Sequence, residues 1–256
     1  MQIQSMTSKM LIIALLVLCQ FPVKAQGPLL SLQNPEKLVI HSYMRGFQVI
    51  DSTVYPRDMY DTVYVQYVDS FVMYHFPVRV IDLSAEDGGP YKIVFEYFTF
   101  IKGQKNGLLF KDTSDFFLPL RKDVDSIINE RGHANVIEEK GIKMISSEKG
   151  VGHTLTENYL PDVKRSEFTF DTFFLHYDST LVNSNYTLGA TLDSSRKSKL
   201  NGFVFSFNAY YSVNQKLSFP PRDISLKFTR LPFTDADAKL ANQLIALFQK
   251  HQEKLR

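Results

Sequence analysis

Phe71-Val72-Met73-Tyr74-His75-Phe76-Pro77-Val78-Arg79-Val80-Ile81-Asp82-Leu83 is the stretch on which the fold turns. Val72, Tyr74, Phe76, Val78 and Val80 fall on one face of an extended chain, while Met73, His75 and Arg79 fall on the other. Alternation with a period of two is the mark of a β-strand with one buried face. Pro77 has no N–H to give to a ladder, so it marks an edge or a bulge. Upstream, Lys37 to Met44 and Asp61 to Val68 read as strands. Downstream, Ala85 to Pro90 is a turn by composition, and Tyr91 to Ile101 becomes apolar on both faces near its end. Asn106-Gly107 is the favoured pair for a tight hairpin, leading into Leu108-Leu109-Phe110.

The second half repeats the theme. Phe168, Phe170, Thr172, Phe174 and His176 share a face in one expected strand. Phe203, Phe205, Phe207, Ala209, Tyr211 and Val213 share a face in another, and Ile224, Leu226 and Phe228 form a last one. Ile142 to Ser146 is expected to be a short strand, and Gly150 to Pro161 mostly loop. Two helices are expected. Arg121 to Arg131 has Asp123 as a cap, a Val124-Ile127-Ile128 stripe and Gly132 as a stop. Residues 234–255 open on Thr234 with Asp237 three positions on, a capping-box pattern, and carry Leu240, Ala241, Leu244, Ile245, Leu247 and Phe248 along one face. Such a stripe needs a partner surface, and an aromatic sheet in the same chain supplies one.

The expected fold class is therefore α+β, mostly antiparallel: a curved sheet, half-barrel or two-sheet sandwich with one middle helix and a C-terminal amphipathic helix. The expected organisation is a leader over 1–25 and one β-rich domain over 26–256. Its halves, 33–120 and 133–231, are joined by the helix at 121–131. An integral outer-membrane barrel fits poorly, because its strands would have to continue to the end of the chain.

The N-terminus predicts export. Lys9 gives a positive start, Met10 to Val17 is an unbroken apolar run, and Val23-Lys24-Ala25 is a cleavage pattern, the layout of a secretory signal peptide. The run is too short for a membrane-spanning helix. Cys19 is the sole cysteine; lipidation there would ordinarily need a small residue before it, where Leu18 stands. With Cys19 removed, the mature chain has no disulfide, zinc–thiolate site or cysteine nucleophile. The chain carries 29 Lys+Arg against 27 Asp+Glu, and loss of Lys9 and Lys24 leaves 27 of each. That balance gives no drive toward nucleic acid. Arg196-Lys197-Ser198-Lys199 reads as a solvated basic loop.

No strong catalytic motif emerges. The six histidines make no close metal-ligand spacing, and no metal or cofactor is expected. His75, beside Arg79, and His153, in the loop Gly150-Val151-Gly152-His153-Thr154, are the candidates for general-base work with nearby carboxylates. Phe168, Phe170, Phe174 and His176 are the candidates for an apolar ligand. There is no G-x-S-x-G elbow. The acidic pairs Asp58/Asp61, Glu86/Asp87 and Glu138/Glu139 read as solvated loop charge. Asp-Ser and Asp-Thr pairs recur at Asp51, Asp61, Asp69, Asp112, Asp125, Asp171, Asp178 and Asp193, where turn and cap chemistry suits them. Asn185-Tyr186-Thr187 is a formal N-glycosylation sequon.

The leader ending in Lys-Ala-Gln, the Phe/Tyr/Asp/Lys-rich strands and the Asp-Ser triplets together resemble secreted or periplasmic proteins of Bacteroidota. The resemblance implies Ser52, Thr62 and Ser126 as O-glycosylation acceptors. The hexapeptide Gly-Leu-Pro-Gly-Leu-Ile, which names one such secreted family, is absent. These readings favour a non-catalytic exported envelope protein, periplasmic, secreted or associated with the outer membrane. It would act as a scaffold that binds a partner protein or as a carrier of an apolar small molecule. The alternative is a hydrolase using His75 or His153. N-terminal sequencing of the exported protein is expected to begin at Gln26; an intact Met1 on cytosolic material would overturn the export reading.

Overall fold

Strand-forming runs that alternate apolar and polar residues zip into antiparallel ladders wherever a tight turn sets their register. In the structure, a computed structural model, ten such ladders join eleven strands in a single sheet. The described residues are 33–80, 92–114, 117–131, 137, 142–161 and 170–255, all within the unit Leu32–Arg256. The leader with Cys19, the turn at 85–90, Glu138, Glu139 and Phe168 lie outside them.

The first half contributes β1 (Glu36–Ile50), β2 (Thr53–Val68), β3 (Phe71–Val80), β4 (Lys92–Ile101), β5 (Asn106–Phe110) and β6 (Leu120–Asp123). The second contributes β7 (Ile142–Lys149), β8 (Thr154–Pro161), β9 (Thr172–Asp178), β10 (Lys199–Phe207) and β13 (Arg222–Leu231). Their order is β6-β5-β4-β3-β2-β1-β13-β10-β9-β8-β7. The halves are thus stitched together by β1 against β13, from Lys37↔Leu231 to Met44↔Ile224. The sheet is mostly antiparallel and is not closed into a barrel. The strands β11 (Tyr210–Ser212) and β12 (Leu217–Phe219) form a separate small hairpin. The pairing of the main sheet is continuous across both halves.

One face of the sheet carries the main core. Leu38, Ile40, Val63, Val65, Tyr74, Phe76, Phe98, Phe173, Leu175 and Phe228 are buried there. They meet Val124 and Ile127 of helix α1 (Val124–Glu130), Leu192 of helix α2 (Ala190–Arg196), and Leu181, Tyr186 and Leu188 of the segment before it. Each such side chain contributes about 1.5–3 kcal/mol by leaving water. On the other face, helix α3 (Asp235–His251) covers the β3–β5 region and the adjoining ends of β1 and β2. Ala241, Leu244 and Ile245 pack with Val68 and Met73, and Leu247 and Phe248 with Leu108 and Phe110. Tyr97 and Ile101 of β4 pack against the same patches, so the two-sided apolar character of that strand reflects burial on both sides.

The start of α3 is anchored by one carboxylate. Asp237 Oδ1 takes the Lys37 ammonium at 2.7 Å and the Gln66 amide at 3.2 Å. Asp237 Oδ2 accepts from the N–H and the hydroxyl of Thr234, completing the expected capping box. Burial pushes this carboxyl up, but the bonds from Lys37 and Thr234 outweigh it and leave it below its ordinary range.

Six expectations are corrected. Asn106-Gly107 is not the hairpin turn: both residues lie in β5 and pair with β6, and the turn falls at 102–105, where Gly103 has a φ of 84°. Residues 150–161 are not loop: β7 and β8 form a hairpin around Gly152, whose φ of 72° suits glycine. The buried side of β8 includes Glu157, an acid that hides the strand's apolar face and is paired with Arg196 at 2.7 Å. The basic run at 196–199 is accordingly not a solvated loop, since Lys199 also pairs with Asp193 at 2.9 Å. In β9 the buried phase is Phe173, Leu175 and Tyr177, leaving Phe174 and His176 half-buried on the other face. The strand from Phe203 ends at Phe207 because the Asn208 N–H turns away to the Asp171 carboxylate. Beyond the two expected helices there is a third, α2, while α1 begins only after its cap Asp123.

Beyond Met44 no β13 residue pairs with β1, and β1 and β2 run on together to a turn at Asp51-Ser52. Both turn residues have positive φ, 48° and 60°, the geometry of the favoured hairpin turns. Val49, Ile50 and Tyr55 are exposed on this projecting arm.

Replacing Asp237 by Ala is expected to cost about 3 kcal/mol in urea unfolding, because it strands Lys37 and uncaps α3. Asp235→Ala, at the same helix end but exposed, is expected to cost about 0.5 kcal/mol.

Candidate functional site

The β2–β3 ladder stops early. It pairs Val68↔Phe71 through Tyr64↔His75 and goes no further, although β2 extends back to Thr53 and β3 on to Val80. In register, Val63 with Phe76 would come next, and after it Thr62 with Pro77, the next pair placed to exchange hydrogen bonds. In an antiparallel ladder alternate residues turn their N–H and C=O to alternate neighbours. Thr62 donates its N–H to the Asp61 carboxylate at 2.8 Å, so the even residues of β2 face away from β1. At the other end of β3 the Lys102 N–H donates to the Ser70 carbonyl at 2.8 Å. The even positions of β3 therefore serve β4, and its odd positions serve β2. Pro77 is odd, and its missing N–H falls where β2 would need it. The β3–β4 ladder is untouched and runs on through Pro77↔Phe95 to Val80↔Lys92.

Where the two strands part, a recess of ≈ 380 Å³ opens on the face that α3 leaves uncovered. Tyr60, Asp61, Thr62 and Tyr64 of β2 line it, with Pro77 and Arg79 of β3, Ile93 and Phe95 of β4 and His41 of β1. Tyr64 and Phe95 meet edge to face at 6.2 Å, and Tyr43 supports Tyr60 with ring centroids 5.0 Å apart. Tyr60 is 67% exposed and Ile93 59%, so the apolar lining faces solvent. His41 Nδ1 and the Thr62 hydroxyl share a hydrogen bond of 3.1 Å. The local carboxylates are occupied: Asp61 by the Thr62 N–H, and Asp58 by Arg45 and the Tyr43 hydroxyl. The Arg45 bond holds Asp58 below its ordinary range. Arg79 is exposed and has no salt bridge among the described residues.

The candidates read from sequence do not converge here. His75 is 6% exposed, edge-on to Tyr97 at 5.2 Å beside the α3 anchor. Its Nε2 has no partner among the described residues. Burial first, and the Lys37 charge second, push it down to about 4, with Asp237 pulling the other way. It is a neutral structural histidine. His153 sits in the β7–β8 turn, where its carbonyl accepts from the Ser179 N–H. Strands β2, β1, β13, β10 and β9 lie between it and β3, so the two histidines cannot act together. Phe170 packs against the main core beside Phe173 and Phe205. Phe174 and His176 lie on the opposite face, His176 bonded to Thr156 at 3.1 Å and pushed down by burial and then by Lys227.

Of the suggested modification sites, Ser52 is exposed at the arm's tip and Ser126 on α1, whereas Thr62 is half-buried in the recess. The Asp-Ser and Asp-Thr pairs do the turn work expected of them: Asp112 holds Ser114, and Asp178 holds Thr180. The side-chain amide of Asn185, in the sequon, donates to Glu36. Among the described residues no group of three or more His, Cys, Asp or Glu is placed to hold a metal, and no helix is long and apolar enough to cross a membrane. The recess itself was missed in the sequence. Pro77 was its signal, but only the register shows which neighbour loses the bond.

A scan against protein-family models finds no match, and a search of curated proteins finds no significant relative.

The His75 shift has a measurable sign. The unfolded chain titrates this histidine at its ordinary 6.5 and the fold at about 4, so the unfolded state binds more protons in between. Stability is expected to fall as pH drops from 6.5 toward 4, by roughly 3 kcal/mol in all. His75→Phe should flatten that slope in denaturant titrations across the same range.

Proposed function

We propose that this chain is an exported, non-catalytic binding protein of the cell envelope, and that a partner docks at the recess between β2 and β3. The observation that carries the reading is the parting of two strands over exposed aromatic side chains, beside a cation, Arg79, that has no salt bridge among the described residues. Catalysis is poorly supported: His75 is neutral and enclosed, and His153 is remote from it. Carriage of an apolar molecule is also less well supported, because the aromatic residues of the main face are consumed in packing against α1, α2 and the segment before α2. The core cluster that links Phe98 of β4 with Phe173 of β9 favours a sheet that curls around it toward a half-barrel. The leader layout, the single cysteine within it and the resemblance to Bacteroidota secreted proteins support a periplasmic or secreted location.

The test is site-specific photo-crosslinking in cells that make the protein. A photoreactive phenylalanine at Tyr60 or Ile93 is expected to give a discrete adduct, and one at Met144 of β7 or Val182 is expected to give none. Adducts absent from the two recess positions would overturn the docking site. A lipid mass retained in native mass spectrometry would favour the carrier instead.

A further inference from the structure

The stretch of β2 that borders the recess is a free sheet edge inside the chain. The even residues of β2 face outward, as the Thr62 N–H shows. Asp58 and Tyr60 therefore turn their N–H and C=O groups away from β1, and Thr62 adds an outward C=O. Pro56, the next outward position, has no N–H, as suits an edge. Among the described residues no strand pairs with this segment on its outer side. A bare edge of this kind is completed by another extended backbone, which pairs with it while its side chains settle into adjoining pockets.

The side chains beside the edge select the occupant. Tyr60, Tyr64, Phe95 and Ile93 offer apolar and aromatic contact at alternate positions. Two cations stand beside the edge: Arg79 lines the recess, and Lys227 stands opposite His41 across β1 and β13. Neither has a salt bridge among the described residues. Of the nearby carboxylates, Asp58 is paired with Arg45, and Asp61 accepts the Thr62 N–H.

From this the geometry points to a peptide-binding edge: an extended segment of a partner protein, alternating apolar and acidic residues, adds as a strand along Asp58–Thr62, with a carboxylate on Arg79. The inference rests on the docking reading above and gives it a ligand class.

The probe is a fluorescein-labelled decapeptide of alternating valine and glutamate, read by fluorescence anisotropy on the full mature chain. It is expected to bind saturably at about 10 µM, a common strength for short added strands. The lysine–valine counterpart should bind at least roughly tenfold more weakly, and Arg79→Glu should reverse the preference. A glutamate–valine peptide N-methylated on alternate residues should lose roughly tenfold, because it cannot complete the ladder. Tyr60→Pro should do the same from the protein side, and the methylated peptide covers the case in which that variant folds poorly.

Equal binding of the methylated peptide, indifference to charge, or no binding up to about 1 mM would overturn strand addition. Sedimentation showing a dimer that Tyr60→Pro dissolves would overturn it in favour of a second copy as the occupant. Crosslinks from Tyr60 that persist while these peptide tests fail would leave the docking site standing and remove only its strand-adding mode.

Discussion

Helix α3 is anchored to the first two strands by a single aspartate that satisfies four donors. Asp237 meets Lys37 and Gln66 with one oxygen and the N–H and hydroxyl of Thr234 with the other. The bond joins the last helix to the first two strands across a sequence separation of 200 residues. Removing a carboxylate from water is costly, and attraction offsets the cost only when the geometry is good and the remaining lone pairs are filled. Both conditions hold here. The anchor also shapes its surroundings, since the Lys37 ammonium beside His75 reinforces the effect of burial and keeps that imidazole neutral. A histidine that looks reactive in the sequence is therefore part of the packing that seats a helix.

Coverage of the second face is partial, and the ladder beneath it is partial too. With α3 lying over β3–β5, the outer part of β1–β4 stays open to solvent. In that part the sheet comes apart between β2 and β3, and Pro77 and the Asp61–Thr62 turn bond together explain why. One strand lacks the donor and the other has already given its own away. The strands remain attached to their opposite neighbours, so an opening appears without loss of the fold. An opening made in this way needs no loop insertion.

How much of this could be read in advance depends on which physics was local. The alternation in 71–80 gave the face of the main core, with Val72, Tyr74 and Phe76, but not the second burial, in which α3 covers Met73 and His75 is enclosed, nor the exposure of Val80. Thr234 and Asp237 gave the start of α3, because capping is a three-residue affair. The phase of β9 was misread because it is apolar on both sides: Phe174 and His176 alternate with Phe173, Leu175 and Tyr177, and only the neighbouring strands decide which set goes inside. β8 was missed because its buried side includes Glu157, tolerable there only through Arg196, 39 residues away. The recess was invisible for the same reason. Pro77 announces a lost bond, but the partner that loses it is set by register across the sheet.

The arm formed by the outer parts of β1 and β2 has a different significance. It carries the Asp51-Ser52 turn roughly 20 Å past the last β1–β13 pair, taking 3.3 Å per residue. Its own two strands supply most of its bonds, so alterations at the tip have little of the molecule to disturb. Selection can therefore rewrite Val49 to Tyr55 almost independently of the core, and an experimenter can graft a label or epitope there at small thermodynamic cost. The protein possesses a handle whose root is tied to the scaffold by Phe47 on Phe219 and whose tip is open to change.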